Sequence, residues 1–344
     1  MPKPTVTLRT FIPRRAQRAL EAVLRALSLY VVPLGIAILS LVALVAWDSH
    51  YTVRDDKALQ MRVLAEGATP LSPGQALAAL KDKPAVAFSD TKLSEAPRWF
   101  TVNTVAAPGD VPVVEFPSRH AIDLACWDAV TLSPLGKSTR SRSEGALSPV
   151  KSGFALALDN TPSQLLCRGT FVGPARLTVL QWPADQLSRS VEQYHRKSGL
   201  LDGGMIVLTL FVLTTALINR QGLYVLFAGW LIMNLRVGAL SAGWDTQWLG
   251  QVVPAEWLLL SRSVSIALYA VATLTLYQTL FRKDLARSRF VGPLQVMEWL
   301  SLPLLIAAFV MPYSMFLPLM WAVTGFGLLW MTMGLVSIMF QSHT

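Results

Sequence analysis

Long apolar stretches alternate with short polar ones over most of this chain, but one segment breaks the pattern. A membrane-crossing helix needs about 20 mostly apolar residues. Ala26–Trp47 meets that need without a charge inside it. Gly203–Asn219 meets it if the helix begins near Gly199, giving a span over 200–219. Gly222–Gly243 follows, interrupted by Arg236, and Trp257–Phe281 carries Arg262 near its start. Val291–Met311 carries Glu298, and Met315–Phe340 has no charge. The pattern predicts an anchor helix, an exterior domain over 48–198, and a C-terminal helical bundle over 200–344.

Residues 48–198 have ordinary polarity. Ser72 is a fair N-cap for a helix over Gly74–Leu80, and Lys81 and Lys83 suit its C-terminal end. From Ala85 short β-rich runs recur between turn residues: Ala85–Phe88, Arg98–Val105, Val111–Phe116, Ala121–Val130, Phe154–Leu158, Ser163–Arg168 and Arg176–Trp182. Separators such as Ala107-Pro108-Gly109-Asp110 and Asp159-Asn160-Thr161-Pro162 punctuate them. Many short strands between such turns predict an antiparallel sandwich within 48–182. Ser133–Glu144 is polar and reads as an exposed loop. Over 183–199, Ala184, Leu187, Val191 and Tyr194 recur at helical spacing. That helix either passes motion to the membrane or merely packs on the domain.

Composition agrees with a bilayer protein. Of 344 residues, 53% are hydrophobic and 15% charged, against about 25% charged in an average soluble domain. The net charge is +9, which raises nucleic acid as a partner. Residues 48–198, however, hold 17 basic and 15 acidic side chains, so the exterior segment is nearly balanced. The excess flanks the apolar stretches, and no basic stripe interleaved with aromatics marks a nucleic-acid surface. Lys3, Arg9, Arg14, Arg15, Arg18, Arg25, Arg220, Arg282, Lys283, Arg287 and Arg289 all fall on one side if the spans alternate. The positive-inside rule makes that side cytoplasmic. Both chain ends are then expected in the cytoplasm and 48–198 in the periplasm. The first stretch is longer than the 7–15 apolar residues of a cleaved signal peptide and is expected to stay as an anchor.

Candidate chemistry is sparse. Gly136-Lys137-Ser138-Thr139 resembles the end of a phosphate-binding loop, but Thr131 stands where the first glycine belongs. The four histidines are scattered, with no pair at metal-ligand spacing. No catalytic residue, metal ligand or cofactor is expected. Cys126 and Cys167 stand on two predicted strands on the oxidising side, either as a disulfide or as two buried thiols. Arg98, Trp99 and Trp127 are the candidate ligand contacts, because an aromatic face can stack on a sugar; core packing is the preferred role for the tryptophans.

Charges inside apolar stretches are more informative, since an ionisable group there is costly and usually paired or inward-facing. Asp202, Arg236 and Arg262 come to similar depth by helical rise and could form one cluster under the exterior domain. That cluster would be a ligand site or a helix-locking network; the alternative is snorkelling to the headgroups. Glu298 and Gln278 come to a similar depth nearer the cytoplasm. A protonated Glu298 bonded to the neighbouring helix is preferred there over a proton relay.

The order of parts resembles the bacterial seven-transmembrane receptors with diverse intracellular signalling modules, in the form with the type 2 extracellular domain. The similar strings are Arg98-Trp99-Phe100-Thr101-Val102-Asn103, Ala121-Ile122-Asp123-Leu124, Leu165-Leu166-Cys167-Arg168, Leu200-Leu201-Asp202-Gly203-Gly204 and Asn219 through Phe227. The resemblance implies a jelly-roll-like exterior domain that binds carbohydrate or another small ligand. It also implies a cytoplasmic effector concerned with cyclic-di-GMP turnover or histidine kinase signalling. Five spans follow the exterior domain where seven are expected, and no Gly-Gly-Asp/Glu-Glu-Phe cyclase signature is present. The chain is therefore read as a truncated piece of such a receptor, or one lacking its own output, and as no enzyme itself. Its expected partners are a periplasmic small ligand, the bilayer, a cytoplasmic effector domain and a second copy in a homodimer. A transporter or channel with a periplasmic domain is the alternative.

Overall fold

The computed structural model describes residues 58–105, 112–157, 162–244, 247–248, 251–252, 257–285 and 291–341, with five isolated helical positions between Val31 and Val42. The anchor expected over Ala26–Trp47 otherwise lies outside the described residues. From Met61 to Pro183 the chain is an antiparallel β-domain, and five apolar helices long enough to cross a membrane follow it among the described residues.

The first described helix, α1 (Pro73–Leu80), starts where the polar pattern places it. Ser72 accepts from the Gln75 N–H, the Gln75 side chain answers to the Ser72 N–H, and Pro73 opens the helix with no donor to lose. Strands β1 (Met61–Ala65), β2 (Ala85–Val86), β4 (Arg98–Asn103), β6 (Ala121–Asp128), β7 (Pro134–Thr139), β8 (Ser143–Gly145) and β11 (Gln164–Phe171) form one sheet in the order β2-β1-β4-β11-β6-β7-β8. A second sheet has the order β13-β5-β10-β9, from β5 (Pro112–Phe116), β9 (Leu147–Val150), β10 (Gly153–Ala157) and β13 (Leu180–Pro183). A short ribbon pairs β3 (Ser89–Asp90) with β12 (Arg176–Leu177).

The two sheets share one core. Phe100 and Val102 of β4 meet Val114 and Phe116 of β5, Phe154 and Leu156 of β10, and Leu165 of β11. Strand alternation turns Trp99 and Leu166 to the other face, where they pack beneath Ala76 and Leu80 of α1. Cys126 and Cys167 are direct cross-strand partners on β6 and β11 and form a disulfide.

The polar segment 133–144, expected as a loop, is instead β7 and the start of a hairpin to β8. Its pairing rests on backbone hydrogen bonds at the sheet edge, so it needs no apolar alternation. Gly136 sits there because a Cβ would come within 2.8 Å of the Leu147 nitrogen and 2.9 Å of the Glu144 oxygen.

Helix α2 (Ala184–Asn219) leaves β13 through Pro183 and runs 36 residues without a break, about 54 Å at the standard rise. The linker helix and the second span are thus one rod. Its first turns place Leu187 and Val191 on Val113, Ala155 and Trp182 of the second sheet. Arg220 in left-handed backbone ends it, and α3 (Gly222–Ser241) returns. A two-residue pair, β14 (Gln247–Trp248) and β15 (Gln251–Val252), precedes α4 (Leu258–Leu280). The short α5 (Arg282–Leu285) leads to α6 (Val291–Val310) and α7 (Tyr313–Gln341).

The disulfide bridges 41 positions of sequence, and its chain-entropy contribution is about 4 kcal/mol. Replacing both cysteines by serine should lower the unfolding temperature by roughly 10 °C. Mass spectrometry of protein from the native compartment should find it lighter by two hydrogens before reduction. Two free thiols would count against the bond.

Candidate functional site

The β-domain rests on the bundle through the turn between β5 and β6. Arg140 holds that turn from the side: its Nε donates to the Ala121 carbonyl at 2.7 Å and its Nη2 to the Ser118 carbonyl at 3.0 Å. The Val172 N–H donates to the His120 carbonyl at 2.9 Å. So fixed, Arg119 and His120 meet the helix ends. Arg119 Nη1 donates to the Ser241 carbonyl at the end of α3, 3.4 Å away. Arg262, one turn into α4, donates from Nη2 to the Arg119 carbonyl at 3.2 Å.

Apolar contacts surround these bonds. Val172 of the β-domain joins Ala267 of α4, Leu304 and Ala308 of α6, and Phe316 and Leu317 of α7 in one buried cluster, with Leu93 and Ile122 packed against it. Gly173 makes the fit possible. Its φ of 92° suits glycine, and a Cβ there would lie 3.0 Å from His120 Nδ1 and 3.3 Å from Tyr313 Cε1. On the neighbouring edge, the Tyr194 hydroxyl of α2 donates to the Ala242 carbonyl, and His195 stacks on Trp244.

A cavity of about 160 Å³ opens at this seat. Arg119, His120, Ser241, Arg262 and Tyr313 line it among the described residues. His120 Nδ1 donates to the Val172 carbonyl at 2.9 Å, which leaves Nε2 to accept from Arg119 Nε at 3.3 Å. Both contacts suit the neutral ring. Burial, and then the charges of Arg119, Arg262 and Arg140, push the His120 pKa down to about 4.

The residues expected to carry function disperse. Arg236 is 5% exposed and donates to the Ser261 hydroxyl at 2.7 Å, so it locks α3 to α4. Arg262 is equally buried but serves the seat. Asp202 is half-buried on α2, and no hydrogen bond or ion pair joins it to either arginine among the described residues. Among the described residues the three expected charges are not joined in one cluster; a hydroxyl and a backbone carbonyl are among the partners of the two arginines. Gln278 donates to the Leu294 carbonyl at 3.0 Å. The Glu298 side chain lies outside the described residues.

Trp99 is 1% exposed, with its ring against Trp127 at 5.3 Å between centroids, so core packing takes its face. Its Nε1 donates to Glu66 Oε1 at 3.1 Å, and Arg168 donates twice to Glu66 Oε2. Burial opposes ionisation of Glu66, but the bonds from Arg168, Leu71 and Trp99 hold its carboxyl below the usual range. Arg98 donates to the Thr91 carbonyl at 3.1 Å. None of these three expected ligand contacts reaches the seat cavity. Among the described residues no group of three His, Cys, Asp or Glu is placed to hold a metal.

His120 gives the seat a pH dependence with a definite sign. The unfolded ring takes a proton below about 6.5 and the folded ring only near 4. Its contribution is complete above pH 6.5 and lost as pH falls through that window, on the order of 2 kcal/mol after screening at its exposed edge. Unfolding scans at pH 7 and pH 4.5 should show a smaller difference for H120Q than for the wild type. Equal differences would contradict the neutral ring.

No family model and no curated protein matches this chain.

Proposed function

We propose that the chain is the receptor part of a bacterial inner-membrane sensor, with the β-domain in the periplasm. The observation that carries this reading is the double attachment of the β-domain to the bundle. The α2 rod continues from β13 to the far end of the bundle, and the Arg119–Arg262 seat grips the near ends of α3 and α4. A change in the β-domain thus has two routes to the opposite helix ends, one through the rod and one through the seat.

Charge supports the orientation. Arg220, Arg282 and Lys283 stand at the helix ends away from the β-domain, where the positive-inside rule calls for the cytoplasm. A disulfide in the β-domain suits an oxidising compartment. The two-sheet antiparallel domain is compatible with the jelly-roll-like module of the receptors the sequence resembles. On that resemblance the ligand is a carbohydrate or another small solute. The output on the same resemblance is cyclic-di-GMP turnover or histidine kinase signalling by a cytoplasmic effector. Signalling requires that the ligand bind one state of the β-domain and bundle more tightly than another.

The test uses the full chain in lipid nanodiscs with spin labels at R220C and K283C. A panel of soluble sugars should contain one that raises the unfolding temperature and changes the label-to-label distance. Binding without any distance change, or no stabilising solute in the panel, would argue against a receptor.

A further inference from the structure

A slot of about 490 Å³ lies against α4, α6 and α7, within the roughly 300–1,000 Å³ usual for a ligand pocket. Among the described residues its walls are mostly aliphatic side chains and methionines, with Tyr269 of α4 and Trp321 of α7 as the aromatic members. Along α7 it runs from Met320 to Met331, about 16 Å at the helical rise. Trp321 and Leu328 line it and are 47% and 62% exposed, so the slot is open to the surroundings of the bundle. For helices of this length and apolarity those surroundings are lipid tails.

The hydroxyls of the wall differ in what they bond. Thr273 donates to the Tyr269 carbonyl and accepts from Trp230 Nε1 at 2.9 Å, and Thr324 donates to the Met320 carbonyl. Tyr269 stacks its ring on Trp230, 6.4 Å between centroids, but among the described residues its hydroxyl makes no hydrogen bond. Tyr269 stands at the middle of the 23-residue α4, so in a bilayer it lies near the midplane. No water is there to satisfy a hydroxyl. A phospholipid keeps its phosphate and esters at the interface, about 15 Å from the midplane. The partner that fits is an oxygen atom carried to that depth on a neutral, largely apolar molecule.

We propose that the slot binds a neutral lipid with a carbonyl-bearing ring, of the prenylated-quinone class, the Tyr269 hydroxyl donating to one carbonyl and the tail lying along α7 towards Met331. Trp321 offers an aromatic face to the ring, and Met297, Met320 and Met331 adapt to a branched tail. The site requires that the helices cross a membrane and holds whether or not the chain is a receptor.

Full-length protein in mild detergent should be titrated with decylubiquinone, with decylbenzene, which has a similar tail and no oxygen, and with dioleoyl phosphatidylcholine. Thermal unfolding reads the affinities. Decylubiquinone should raise the unfolding temperature, and phosphatidylcholine should not displace it. Y269F should weaken decylubiquinone about fivefold, the worth of one hydrogen bond, and leave decylbenzene unchanged. A270F and G325F each place a ring in the slot from facing helices and should weaken both ligands about tenfold. A Cβ at Gly325 meets nothing within 4 Å, so α7 itself accommodates the larger residue. No shift with decylubiquinone would overturn the proposal, as would its displacement by phosphatidylcholine. So would an unchanged decylubiquinone affinity in Y269F, which would mark a plain acyl-chain groove, or wild-type binding by both ring variants, which would place the ligand elsewhere.

Discussion

The hydrogen bond from Arg262 to the Arg119 carbonyl ties together two parts of the chain that answer to different solvents. The β-domain has water-facing edges; the helices beneath it are apolar on nearly every side. A guanidinium 5% exposed in such a place is tolerable only with acceptors at hand, because a buried charge without partners costs several kcal/mol. The turn at 117–120 supplies a backbone carbonyl, and Arg140 keeps that turn in position. Removing the acceptor's position would therefore cost more than one ordinary hydrogen bond, about 1 kcal/mol net.

Above the seat the β-domain is braced twice. The disulfide pins the adjacent strands β6 and β11. On the outer face of the same sheet, Glu66 gathers Arg168, Trp99 and the Leu71 N–H under α1. A carboxylate 7% exposed with four donors is a satisfied network, and it fixes the β1–α1 connection to the sheet. A braced domain transmits displacement to its attachments, where a loose one would absorb it.

The attachments differ in kind. Helix α2 is a single rod whose upper third packs on the second sheet through Leu187 and Val191, and whose lower part carries the apolar composition of a span. The seat, by contrast, is a patch of apolar contacts around a few polar bonds, and such a patch slides more readily than a rod bends. With a chamber at its centre, the seat is the place where an occupant would change the coupling between domain and bundle.

Much of this architecture was legible in the amino-acid pattern. The five described apolar helices declare themselves by length and hydropathy, since lipid offers no partner for an irregular backbone. The Ser72/Gln75 capping pair is local chemistry and reads directly. The polar strands β7 and β8 at the end of the first sheet did not read, because their backbone pairing does not require apolar alternation. Arg262 stood out as a charge in an apolar run, yet nothing near it pointed to Arg119, 143 positions away.

Sequence alone thus determined which segments form helices long and apolar enough to cross a bilayer and which carry ordinary polarity, through interactions that span a few residues and summed transfer energies. Tertiary structure alone decided the pairings: that the two cysteines face each other across neighbouring strands, that Asp202 is not bonded to Arg236 or Arg262 among the described residues, and that a turn between two strands becomes the seat. Those outcomes depend on strand register and helix-end placement, which bring together residues whose separation along the chain carries no periodic signal.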